Sequence, residues 1–158
     1  MGKATRRIAI STIEDTDVHA IAKARGDVDR IVKSCGYSQI VLGSRSPIGF
    51  ARVLKRYWDV YTIRHRLRPT DTVFLQFPWI HHNKAEFYGG LFGSGANVHC
   101  IVHDLDSMRD LGSGGEHDNE LRDLGRCNTI IAHTPAMKEF LANQGIDRAK
   151  IKVLGVFP

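Results

Sequence analysis

The stretch NVHCIVHDLDSMRD, residues 97–110, is apolar at Cys100, Ile101 and Val102 in succession. It then turns polar at once, at His103, Asp104 and Asp106, with Arg109 following one helical turn on. A strand with one face in water alternates apolar and polar residues. A run without alternation fits a strand covered on both faces, as in a parallel sheet flanked by helices. The same signature recurs in RRIAIST (6–12), YSQIVLG (37–43), DTVFLQF (71–77), NTIIAH (128–133) and KIKVLGVF (150–157). Together with 97–103 these runs predict about six strands.

Helical patterns separate them. In Pro47–Leu67, Phe50, Val53, Leu54, Tyr57 and Tyr61 fall at the spacing of one helical face, with Arg52, Lys55, Arg56 and Asp59 elsewhere. Thr134 is placed to cap a helix with Pro135 in its first turn and Gly145 just past its end. GGLFGSG (89–95) has the wrong polarity for a phosphate loop, which follows a strand and opens a helix; here it ends a helix and leads to a strand. The βαβα order implies an α/β fold, a doubly wound, Rossmann-like parallel sheet with right-handed crossovers, forming one domain over residues 1–158.

The bulk numbers agree with such a domain: 158 residues, 42% hydrophobic and 25% charged. No apolar run is long enough for a membrane span or a secretory signal, so a cytoplasmic protein is expected. Cys35, Cys100 and Cys127 are odd in number and far apart, which suits small core residues in a reducing compartment better than disulfides or a zinc site. The net charge of +5 is focused. Residues 45–68 hold seven basic side chains against the single acid Asp59, a net of +6, so the remainder is −1. Such a focus suits an anion, whether nucleic acid, an anionic lipid surface or a phosphorylated substrate, and equally a solvated helix face; peripheral contact of the helix at 50–68 with a membrane is one expectation.

In a doubly wound sheet, ligands gather beyond the carboxyl ends of the strands, where loops converge and helix N-termini expose free N–H groups. The polar residues there are Ser11–Arg25, Gly43–Ser46, Gln76–Lys84, His103–Arg109 and His133–Thr134. His103 and Asp104 qualify as a general acid/base pair toward a hydroxyl. With His81, His82, His117 and Asp118 they also sketch a metal-dependent phosphohydrolase, although no spacing matches a zinc signature and no metal site is assigned. Asp104 or Asp106 would cap a short helix over DSMRDL. Gly112, Gly114 and Gly115 make a surface loop or lid beside these residues. Lys23 and Arg25, near the start of the first helix, oppose its dipole and so suit a bound phosphate. A non-catalytic binding module is a further alternative, with Trp79, Phe87, Tyr88 and Phe92 as its patch.

Four short motifs carry a family resemblance: Lys23-Ala24-Arg25 with Asp27-Val28, Gln76-Phe77-Pro78, His103-Asp104 with Ser107 and Arg109, and Leu154-Gly155 with Phe157. On these, nearly the whole chain resembles the N-terminal half of bacterial β-1,6-galactofuranosyltransferases and of glucosyltransferases that build surface glycans. The resemblance implies a GT-B enzyme in which this domain binds acceptor. A C-terminal domain, absent from this chain, would hold the nucleotide sugar, and the isolated domain would turn over little. It implies a UDP-sugar donor, a glycan or lipid-linked acceptor, and no cofactor. Lys23 and Arg25 would approach the donor diphosphate. Gln76, Trp79 and His81 would shape acceptor binding, and His103, Asp104 and Arg109 would line the cleft. Nucleic acid is not an expected partner, and a homo-oligomer is left open.

Overall fold

A computed structural model describes residues 5–12, 20–42, 49–79, 84–105 and 114–155. The elements run β1 (Arg7–Thr12), α1 (Ala20–Ser34), β2 (Ser38–Leu42), α2 (Gly49–Arg66), β3 (Thr72–Phe77), α3 (Lys84–Gly93), β4 (Asn97–Val102), α4 (Gly114–Gly125), β5 (Thr129–Ala132), α5 (Pro135–Asn143) and β6 (Ile151–Val153). A single 3-10 turn, Arg148–Lys150, precedes β6. All six strands lie parallel in one sheet in the order β2-β1-β3-β4-β5-β6, the doubly wound α/β fold expected.

The first five expected strands match to within a residue at either end. The sixth is shorter than expected, stopping at Val153, where only Leu154 N still reaches back to Ala132 O. Consecutive burial explains the unalternated runs: Ile8, Ala9 and Ile10 in β1, and Cys100, Ile101 and Val102 in β4, are all buried. β2 is an edge strand, and Ser38, Gln39 and Val41 are exposed accordingly. Two compact units make up the chain, Met1–Phe74 with Ile80–Asn97, and Leu75–Trp79 with Val98–Pro158.

In the first unit, α2 packs on α3. The helices meet at Gly90, where an added Cβ would make ordinary van der Waals contact, 3.7 Å from Val60 O and 3.8 Å from Arg64 Cβ. Ile63 and Leu67 of this helical segment are buried, as are Phe87, Tyr88 and Leu91. The Arg6 guanidinium bonds both the Asp71 carboxylate and, at 2.7 Å, the carbonyl of Arg66, while Asp71 also accepts from Arg68 N.

The apolar stripe of α2 faces outward: Phe50, Val53, Leu54, Tyr57 and Tyr61 are exposed, and the helix buries Asp59 and Ile63 instead. Two expectations fail. The proposed binding patch does not exist as a surface, because Phe87 and Tyr88, like Trp79 of the second unit, are core residues and Phe92 is half-buried. Cys35 is exposed, whereas Cys100 and Cys127 are buried as expected.

In the second unit, Asn128 ties β5 to β4 by accepting from Val98 N through its side chain and donating its own N–H to Val98 O, both at 2.7 Å. Thr134 caps α5 as the sequence predicts, its hydroxyl accepting from Met137 N, and Gly145 follows the helix at a φ of 87°. Gly114 and Gly115 open α4 and so belong to a helix, not to a surface loop or lid, and Gly112 lies outside the described residues. The DSMRDL helix lies outside the described residues beyond Leu105.

Candidate functional site at the carboxyl edge of the sheet

The last three residues of β3, Leu75–Phe77, and β4 from Val98 on lie in the second unit, where the two strands are neighbours. His103 is the first residue past β4, and its backbone N–H still donates to Phe77 O at 2.9 Å, so its position is fixed by the end of the ladder. Its ring Nε2 lies 2.7 Å from Oε1 of Gln76, the penultimate residue of β3. A carbonyl oxygen only accepts, so in this assignment Nε2 carries the proton. The neutral ring then keeps its basic lone pair on Nδ1. Gln76 is only 5% exposed, which limits the freedom of its amide and hence of the imidazole it holds.

A second imidazole stands beside the first. His133 is the first residue past β5, and its ring centroid is 5.7 Å from that of His103 with the planes inclined by 44°. Asp104 is half-buried, and its Oδ1 accepts from Leu105 N at 2.9 Å. Because β4 has ended at Val102, the alternation that sends neighbouring strand residues to opposite faces no longer separates His103 from Asp104. Two imidazoles, a carboxylate and a buried amide at one strand edge are the groups that general acid/base chemistry on a hydroxyl requires. His99, within β4, is a contrast: burial pushes its imidazole below its ordinary value, and it sits inside the strand.

Of the residues singled out from sequence, the structure brings Gln76 and His103 together, with Asp104 next in the chain. Trp79, at 2% exposure, is packed in the interior. Lys23 and Arg25 belong to the first unit, as the fourth and sixth residues of α1; Lys23 is exposed and Arg25 is buried. Also in that unit, the Ser11 hydroxyl is buried and has no hydrogen-bond partner among the described residues. His81 and Arg109 lie outside the described residues, as do Asp106 and His82. Among the described residues no group of three or more His, Cys, Asp or Glu is arranged to hold a metal ion. His133 is among the polar residues the sequence places at the strand ends but carries no assigned role there; it follows the fifth apolar run as His103 follows the fourth.

With the edge described, comparison with known proteins adds a family. The family model for the glucosyltransferase 3-like N-terminal domain matches residues 7–156, nearly the whole chain. No curated protein matches.

Proposed function

This chain belongs to the glucosyltransferase 3-like N-terminal domain family, and on that premise we propose that it is the acceptor-binding domain of a GT-B sugar transferase. The enzyme moves a hexosyl unit, glucose or galactofuranose, from a UDP-sugar to a hydroxyl of a glycan acceptor. The observation that carries the proposal is the Gln76–His103 hydrogen bond, which supports a fixed imidazole with Nδ1 as its basic nitrogen.

In the reaction, the acceptor hydroxyl gives its proton to the base, His103 Nδ1 with Asp104 beside it. The oxygen then attacks the anomeric carbon, and the bond from that carbon to the diphosphate breaks, releasing UDP. No cofactor enters, because the donor carries its own leaving group. Lys23 and Arg25 are assigned to the donor diphosphate, where cations offset its growing charge, and Arg109 and His81 to the substrates; for these four the support is the family resemblance. The donor is held mainly by a second, nucleotide-sugar-binding domain. A cytoplasmic reaction follows from the nucleotide-sugar donor, and a lipid-linked acceptor would bring the domain to the inner face of the membrane.

The test is reconstitution. The 158-residue chain is mixed with a separately produced nucleotide-sugar-binding domain of a family member, labelled UDP-glucose or UDP-galactofuranose, and a glycan acceptor. Transfer that needs both proteins supports the reading. Equal transfer without this chain contradicts it.

A further inference from the structure

Six of the ten large apolar side chains that are exposed among the described residues sit on α2: Phe50, Val53, Leu54, Tyr57, Trp58 and Tyr61. Their spacing is i, i+3, i+4, i+7, i+8 and i+11, one continuous stripe of a helix. Phe50 and Tyr57 are each 72% exposed and Trp58 63%. The opposite side is anchored, since Asp59 and Ile63 are buried, and α3 meets the flank of the helix where Gly90 faces Val60 and Arg64. A firmly seated helix is therefore presenting its apolar side to solvent.

We propose that this face is a docking surface for an anionic lipid bilayer, with α2 lying in the plane of the headgroups. The composition selects that occupant. Tyr57, Trp58 and Tyr61 join an apolar ring body to a polar tip, the combination that favours the membrane–water boundary. Charge agrees with it: Arg64 and His65 continue the stripe and are exposed in the last turn, while the only acid of the helix, Asp59, is buried on the other side and paired with Lys55. A surface that hides its acid and displays its cations complements anionic headgroups. A second copy is disfavoured by the same arrangement, because a two-fold contact would place the patch and its arginines against themselves with no exposed acid on the helix to pair them. The helix is not apolar enough to cross the bilayer, so it lies on the surface.

The proposal deepens the lipid-linked-acceptor reading and rests on it for its purpose, but its test involves no sugar. The chain is mixed with vesicles of phosphatidylcholine alone or with phosphatidylglycerol, and co-sedimentation and tryptophan emission are measured. Trp79 is buried, so a blue shift reports Trp58. The expected result is binding to phosphatidylglycerol vesicles with a blue shift. Phe50→Ser with Tyr57→Ser should weaken that binding about tenfold or more. Arg64→Gln should reduce the preference for anionic lipid. Near-UV circular dichroism checks that each variant is folded. No binding by the folded wild type overturns the proposal, as does binding that Phe50→Ser with Tyr57→Ser leaves unchanged. Loss of concentration-dependent self-association in that double variant, with no vesicle binding by the wild type, would give the face to a second copy. Failure of vesicle binding leaves the reconstituted sugar transfer untouched, and the reverse also holds.

Discussion

His103 Nε2 and Gln76 Oε1 stand 2.7 Å apart, joining residues 27 positions distant in the chain. With the Gln76 carbonyl oxygen as acceptor, Nε2 carries the proton and Nδ1 is the basic nitrogen, and Gln76 acts through the imidazole as a positioning residue. Replacing Gln76 with Leu should lower the kcat of transfer about tenfold or more while leaving KM for the donor unchanged. Gln76→Glu, which keeps an acceptor oxygen, should retain more activity and shift the pH–rate profile. Equal loss in both variants, with no change in that profile, would assign Gln76 a merely structural role.

A stability prediction comes from Asp71. The Arg6 guanidinium, opposed in part by burial and helped by Arg68 N–H, holds the Asp71 carboxyl below its ordinary value. The unfolded chain therefore takes up this proton at a higher pH than the folded one. The stabilisation is complete above the ordinary carboxylate value of about 3.9 and is lost as pH falls through the depressed value. Asp71→Asn should lower Tm by roughly 5 °C at pH 7. Thermal melts should show the gap from wild type closing in acid; a gap constant with pH would contradict the assignment.

Asp123, buried in α4, carries the opposite sign. Burial pushes its carboxyl up, against the pull of Arg122 and Arg126. The folded state prefers the protonated form, so the ionised group costs stability as pH rises through that raised value. Asp123→Asn should raise Tm at neutral pH, and the gain should vanish below the ordinary carboxylate range. A lower Tm for the variant at pH 7 would show that the charge is stabilising.

Thiol reactivity separates the three cysteines. Cys35 is exposed; Cys100 and Cys127 are buried, and the hydrogen bond with Cys127, together with burial, pushes the Cys100 thiol well up. A thiol reagent should therefore modify Cys35 quickly in the native protein and the other two only on unfolding. Rapid reaction of all three would mean that the second unit opens readily.

These contacts show what the sequence carried. β4 was legible because a strand covered on both faces must be apolar at consecutive positions, and Cys100-Ile101-Val102 is such a run. The strand end also announced His103 and Asp104. Periodicity on α2 identified an apolar stripe correctly but held no information about what lies opposite it, so solvent and core were indistinguishable. Trp79 failed for a related reason: an aromatic just past a strand suits a ligand wall and an interior equally well. The Gln76–His103 and Arg6–Asp71 bonds depend on how β3 aligns with its neighbours, and residue types alone do not specify that register.

The most direct test of the central claim is the rate of hexosyl transfer by reconstituted enzyme carrying His103→Ala. Removing a general base predicts a fall in kcat of about 10²–10⁴-fold with donor KM nearly constant and the chain still folded. A variant that transfers at the wild-type rate would show that the imidazole at the end of β4 is not the base, and the acceptor-site account would fail with it.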